Sequence, residues 1–360
     1  MFYYLIVIVF CILFYYFGIF KNKYKIDNNY TMIFFIIFLF FSLFLFYMSV
    51  YRSLSVGTDT QSYYNYFWNK SYLILFETAI ISIYKIIEHS NDFTYFFIIC
   101  FVIVYGFSLF ALKKNMYNFW ISYSLFILSF LFFLSYNAVR QSMAISIIFF
   151  AMQFIIGNKT SNQSYIKYIC LVYIATLFHV SAWIALVFVL LNKIKINKKV
   201  YLYSILFITF GYFTEYLKEL IYPIISSIEF YNEKYSYNPD FFFEVNKEKG
   251  FIQFIPILIQ YLFLILFVLK NFAEKLSKKE LFVTNYYFIF LFLYSFSGIE
   301  SIDRIQLYFI PSIIFFYDML LFKQKNNSLL GISIIVFWVV YFTIRILQGT
   351  NGIYPFELRV

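Results

Sequence analysis

Residues 31–67 read TMIFFIIFLFFSLFLFYMSV followed by YRSLSVGTDTQSYYNYF. The first twenty are almost all apolar, enough for a helix to cross a hydrocarbon layer roughly 30 Å thick. The next seventeen break that run with Arg52, Gly57, Asp59 and a cluster of hydroxyl and amide side chains. In so apolar a chain this polar island is the exception, and ionisable groups at membrane depth mark function by default. The expectation is that Tyr51–Phe67 forms the first wall of an active site facing outward from a membrane.

The composition supports that starting point. Hydrophobic residues make up 63% of 360 and charged residues 13%, with a mean hydropathy of +0.77. A soluble chain could not bury that much apolar surface, so lipid is the solvent. The expected fold class is an all-α integral membrane protein, a single polytopic domain over residues 1–360. With 54 Phe and 37 Tyr, individual aromatics carry little information. Cys11, Cys100 and Cys170 lie in apolar runs without metal or redox spacing and are expected to pack or face lipid. The first twenty residues lack a basic leader and a small-residue cleavage site, which favours a retained span over a signal peptide.

Reading apolar runs of about twenty residues gives spans near 2–20, 31–50, 93–112, 117–136, 138–157, 165–178, 180–192, 200–219, 251–269, 282–297, 305–322 and 329–347. That is about twelve spans. The segments between them alternate in charge. One set carries 17 lysines, among them Lys21, Lys113, Lys114, Lys193, Lys278 and Lys323, against the acids Asp27, Glu274 and Glu280, with Asp318 ambiguous. By the positive-inside rule this set is cytoplasmic, which puts both termini outside. The net charge of +10 follows the span ends, so it argues for topology rather than for a nucleic-acid partner. All five arginines, Arg52, Arg140, Arg304, Arg345 and Arg359, fall in the other set. Lysine suffices as a topological charge, whereas the planar fork of arginine suits bidentate phosphate or carboxylate binding.

Three further stretches shape the expected outer face. In residues 71–89, Glu77, Lys85 and Glu88 fall within about 80° on a helical wheel, opposite Ile and Leu, as in an interfacial amphipathic helix; a thirteenth span is the alternative. The 165–192 run is too long for one span, too short for two ideal ones, and lysine-flanked on both sides. A hairpin of short or re-entrant segments satisfies this and puts Phe178-His179-Val180-Ser181 at its tip. Residues 221–250 form the largest outer loop, either a binding lid or an inert solvated loop.

Four polar clusters then converge on the outer side: Arg52/Asp59, Asn137/Arg140/Gln141, His179/Ser181 and Glu300/Asp303/Arg304. The bland alternative for any one of them is an ion pair tying helix ends together, such as Arg140 with Asp303. His89, the other histidine, is expected at headgroup level. No HExxH, paired His/Cys cluster, phosphate-binding glycine loop or dinucleotide fingerprint occurs, so neither a metal nor a nucleotide cofactor is expected.

The order R-x4-GTDT-x2-Y-x2-YF (Arg52 to Phe67), N-x2-RQ-x2-A (Asn137 to Ala144), FH-x-SA (Phe178 to Ala182) and an acidic R-x3-Y segment (Glu300 to Tyr308) resembles the EpsG-like, Wzy-type polysaccharide polymerases across nearly the whole chain. Phe76-Glu77 looks like the family's acidic position after the GTDT loop, although the Pro-Gly that often follows is absent.

The resemblance implies a metal-independent glycosyltransferase of the bacterial cytoplasmic membrane, acting at its outer face. It would join oligosaccharide repeat units carried on undecaprenyl diphosphate, among membrane lipids and alongside a chain-length regulator and a flippase. On that chemistry, Arg140 and Arg304, then Arg52, are the expected diphosphate-binding residues. His179 and Asp59, then Glu300 and Asp303, are the expected catalytic groups near the acceptor hydroxyl. Thr58, Thr60, Tyr63, Asn137, Gln141 and Glu77 are the expected sugar contacts. A ligase on the same carrier, a flippase or transporter, and a membrane acyltransferase are the alternative readings.

Overall fold

The computed structural model describes residues 1–23, 28–156, 161–191, 193–194, 196–214, 216–226, 251–271, 276–324 and 327–359. Among them the chain is helical without a named strand; one isolated antiparallel bridge pairs Arg52 with Leu358. By length and composition six of these helices can cross a membrane: Phe2–Lys21, Asn28–Val50, Thr94–Asn115, Phe119–Tyr136, Phe251–Lys270 and Ser328–Leu347. Glu300–Leu307 and Pro311–Lys323 pass the same test only when taken together and are bent by 45° at the break between them, as in a broken span or a re-entrant loop.

About twelve full spans were expected, and the others are short or broken. Asn162–Thr176 and Lys278–Phe292 have 15 residues each, or about 22 Å at 1.5 Å per residue, less than a bilayer core. Lys198–Phe213 ends where Thr214 turns extended. The expected loop at 221–250 also changes: residues 221–226 belong to the helix Tyr216–Ser226, and 227–250 lie outside the described residues.

The chain divides into two compact units, Met1–Leu186 with Ile313–Val360, and Val187–Ser312. In the first unit, α1 (Phe2–Lys23) packs on α7 (Phe119–Leu128), and α6 (Thr94–Asn115) packs on α8 (Val139–Ala151), which also meets α9 (Asn162–Thr176). Phe14 stacks on Trp120 and meets Tyr123 edge to face. By contrast α2 (Asn28–Val50) leaves Phe35, Leu39, Phe40 and Leu43 exposed. Large apolar side chains turned outward along a continuous helix fit a lipid solvent and would be a liability in water. Two side chains start α7. Asn118 accepts from the backbone N–H groups of Trp120 and Ile121, while the buried Asp318 carboxylate accepts from Tyr117 N at 2.5 Å and Asn118 N at 2.9 Å. These bonds satisfy donors that the helix itself leaves open.

Residues 71–89 do not form one amphipathic helix. The chain runs as α3 (Thr60–Trp68), α4 (Tyr72–Leu75) and α5 (Thr78–Glu88), with Phe76 and Glu77 extended between the last two. Helix α5 buries Ile80, Ile83, Tyr84 and Ile87 in a cluster with Tyr63, Phe93, Phe96, Val139 and Met143. Ala79 N–H donates to the carbonyl of Leu177, 3.1 Å away. That tertiary bond draws the start of α5 toward the turn after α9. The hairpin expected in 165–192 is present: Tyr168 donates to Ala185 O at 2.6 Å and Tyr173 meets Trp183, so the segments run back along each other around residues 177–179.

A terminal segment braces the polar island. Gly57 N–H donates to Gly352 O, Ser53 N–H to Glu357 O, and Arg359 N–H to Tyr51 O, each at 2.8 Å. Arg359 also reaches Thr94 Oγ1 at 3.1 Å, and Tyr4 donates its hydroxyl to Ile353 O.

In the second unit, Asn285 ties three segments together, accepting from Tyr201 and donating to Leu191 O and Ile194 O. A Ser277–Glu280 capping box starts Lys278–Phe292.

Candidate active site

Three separated segments of the first unit deliver three ionisable side chains to one point. The break between α4 and α5 supplies Glu77, the first turn of α8 supplies Arg140, and the hairpin turn supplies His179. Glu77 Oε2 lies 2.5 Å from Arg140 Nη1, and Glu77 Oε1 lies 2.9 Å from His179 Nδ1. Val180 N–H donates to the same Oε1 at 3.3 Å. Each side chain is partly shielded, with exposures of 17% for Glu77, 24% for Arg140 and 13% for His179. The shielding strengthens their mutual attraction while leaving access from one side.

The local backbone explains the aim of Glu77. In a continuous helix its side chain would have shared a face with Lys85 and Glu88. Because Phe76 is extended and Glu77 serves as the N-cap of α5, the carboxylate turns toward the hairpin. The Phe76 ring stays under the site, 4.6 Å from the Arg140 guanidinium carbon. Arg140 is held on a second edge, where its Nε donates to the Tyr63 hydroxyl at 3.2 Å.

These contacts set the charge state of Glu77 and of Tyr63. Burial pushes the Glu77 carboxyl up, but the His179 hydrogen bond and the Arg140 charge outweigh it and lower the group to about 2. An ionised carboxylate only accepts, so the Glu77 contact takes a proton donated from His179 Nδ1 and leaves Nε2 as the nitrogen that can carry a lone pair. Burial pushes the Tyr63 phenol up to about 12, against the pull of Arg140. Tyr63 therefore stays neutral, accepts from Arg140 and keeps its own proton to donate.

The GTDT segment stands on the same helix start. Asn137 Oδ1 accepts from Thr58 N at 2.6 Å and Thr58 Oγ1 at 2.9 Å, one turn before Arg140. Asp59 is exposed at the N-cap of α3, 3.2 Å from the Thr58 hydroxyl. Gly57 has φ +91, and a Cβ there would collide with the carbonyl oxygen of Tyr136. Only glycine satisfies both conditions. Thr60 is buried, its hydroxyl on Val56 O at 2.7 Å; Gln141 is buried as well.

Arg52 does not share that exposure. It is 2% exposed, with its guanidinium carbon 4.1 Å from the Phe97 ring centre and 4.4 Å from that of Tyr136, and its Nη1 donates to Ser49 O.

Glu300, Asp303 and Arg304 lie on the helix Glu300–Leu307 of the second unit. Arg304 pairs with Glu300 at 2.6 Å, and Asp303 accepts from Gly298 N–H at 3.0 Å.

The GTDT loop, the Asn137–Gln141 segment and His179 were thus named from the sequence as separate walls, and all three lie in the first unit, while the fourth, Glu300–Arg304, lies in the second. The central place of Glu77 was missed. Its only signal was the Phe76-Glu77 resemblance, since no glycine or proline marks the helix break. Among the described residues no three His, Cys, Asp or Glu side chains gather as a metal ion would need.

Comparison with known proteins gave one family match, in which the EpsG family model aligns with residues 35–358. No curated protein and no solved structure matched the chain. The matched range takes in the GTDT loop, Glu77, Arg140, His179 and the Glu300–Tyr308 segment, nine-tenths of the sequence. The chain belongs to the EpsG family, the family of Wzy-type polysaccharide polymerases.

Proposed function

We propose that this membrane protein lengthens a polysaccharide by glycosyl transfer between lipid-linked units, with Glu77, Arg140 and His179 at the centre of the reaction. The observation that carries the proposal is that one carboxylate holds both an arginine and a histidine. The donor is a growing chain on undecaprenyl diphosphate, and the acceptor is the terminal sugar of another carrier-linked repeat unit. The acceptor oxygen forms a bond to the anomeric carbon as the bond from that carbon to the diphosphate breaks. The diphosphate departs with the bonding electron pair, and the acceptor's proton passes to His179 Nε2.

Each role follows from chemistry already described. A departing diphosphate needs positive charge, and with Glu77 on Nη1 and Tyr63 on Nε the Nη2 edge of Arg140 is proposed to receive it. His179 is oriented by Glu77 with the basic nitrogen outward, as a general base requires. Glu77 itself, lowered to about 2, is too weak a base and acts as the orienting group. Tyr63, Thr58 and Asp59 have polar atoms to offer the sugars. Arg52 and Thr60 instead have internal roles, bracing the loop. Arg304 is proposed as a further diphosphate-binding residue belonging to the second unit, with Glu300 and Asp303 beside it in sequence. The site faces outward from the bacterial cytoplasmic membrane, where a flippase delivers repeat units and a chain-length regulator limits the product.

Elongation of a purified lipid-linked repeat unit by the purified protein tests the proposal. Arg140→Ala is expected to lower the rate about 10²–10³-fold, and His179→Ala about 10²–10⁴-fold, with both variants inserted normally. Wild-type product length in both would refute the assignment.

A further inference from the structure

The two oxygens of Glu77 have unequal attachments. Among the described residues, His179 Nδ1 and the Val180 backbone N–H reach Oε1, while Arg140 Nη1 reaches Oε2. The Oε1 side is also fixed by main chain, because Ala79 N–H bonds Leu177 O across the same junction. Arg140 comes from another helix and is steadied by side chains, the Tyr63 hydroxyl and the Phe76 face. Of the two partners of Glu77, the arginine is the one that can be drawn away without dismantling the backbone frame.

We infer that Glu77 is a positioning residue that couples diphosphate binding at Arg140 to the basicity of His179. This rests on the diphosphate role proposed above for Arg140. Glu77 divides its negative charge between a guanidinium and an imidazole. An anion on Arg140 neutralises the guanidinium and relaxes its pull on Oε2. The carboxylate, still anchored through Oε1, then acts on His179 alone and favours a proton on its ring. The base thus becomes competent when a donor diphosphate is in place. Among the described residues of the first unit, the charged and titratable groups whose contacts lead to His179 are Glu77 directly and, behind it, Arg140 with the Tyr63 phenol. Asp59 acts on Tyr63 from the start of α3.

The chain has two histidines, His89 and His179, so imidazole ¹⁵N signals of the full-length protein in detergent report on His179 once His89→Asn assigns the other pair. Inorganic pyrophosphate is the probe, and its binding is measured separately by calorimetry on wild type and Arg140→Ala. The expected result is Arg140-dependent binding that moves the His179 titration midpoint to higher pH in wild type and leaves it in place in Glu77→Gln. If Glu77→Gln does not fold, Glu77→Asp replaces it. The shorter side chain keeps the charge but cannot span both partners, so a reduced shift is expected. An equal shift with the altered residue 77 would mean that the anion acts through space; the coupling is then overturned while the diphosphate site stands. Pyrophosphate that fails to bind, or binds Arg140→Ala equally well, overturns the diphosphate site and the coupling with it.

Discussion

Glu77 and His179 stand 102 positions apart in the chain and 2.9 Å apart in space. Nearly all of the proposed chemistry depends on that distance, because it decides which imidazole nitrogen faces the substrate. It also gives the site a defined response to acid. The Glu77 carboxyl is lowered from 4.5 to about 2. A depressed carboxyl stabilises the fold fully above its ordinary value and loses that contribution as pH falls toward the folded value. Thermal unfolding in detergent should therefore show the largest gap between wild type and Glu77→Gln above about pH 4.5. The gap should close between there and about pH 2. A gap that stays constant over this window would exclude an ionic origin.

Placement of the site is checked by single cysteines at Asp59 and Lys114. A membrane-impermeant thiol reagent applied to intact cells should label position 59, and position 114 should react only after permeabilisation. Equal labelling of both would overturn the outward orientation.

The GTDT wall should be sensitive to a single methyl group. Gly57→Ala places a Cβ against the Tyr136 carbonyl at a φ of +91, a strain of about 1–3 kcal/mol. Elongation is expected to fall sharply with insertion unchanged. Gly106→Ala is the matched control, because a Cβ there meets nothing within 4 Å.

Asp318 provides a stability test remote from the chemistry. Asp318→Ala removes the acceptor from two backbone N–H groups, those of Tyr117 and Asn118. Leaving one buried and one part-buried donor unpaired costs up to about 2–6 kcal/mol in all, so a marked drop in unfolding temperature is expected. Asp318→Asn, which keeps one acceptor oxygen, should fall between the two.

Much of this was legible in the residues. Uninterrupted apolar runs gave the long helices at Asn28–Val50 and Ser328–Leu347, because lipid imposes a length that sequence must meet. The length of 165–192, awkward for either one span or two, pointed to the turn that carries His179. Other features depended on partners that sequence alone does not name. Glu77 read as a polar position on an amphipathic helix and, by resemblance, as a sugar contact, not as the partner of Arg140 and His179. The break at Phe76 has no glycine or proline to announce it, and lies beside a tertiary bond from Ala79 to Leu177. Arg52 read as the runner-up diphosphate ligand because such a leaving group calls for arginine, and its place between the Phe97 and Tyr136 rings depends on the fold of two other segments. Asp318, ambiguous by charge counting, proved to be the acceptor for the start of a helix two hundred residues earlier.

The brace across the polar island carries a consequence for synthesis. Tyr51, Ser53 and Gly57 find their backbone partners at Arg359, Glu357 and Gly352, some three hundred residues later. At a translation rate of roughly 5–20 residues per second, the loop waits roughly 15–60 s before its bracing segment leaves the ribosome. Until then the long helices can enter the membrane while the wall beside Arg140 is still unsupported. Insertion and competence thus become separate events, and a ribosome that stops a few codons short of Gly352 would leave a membrane-embedded chain without a finished site.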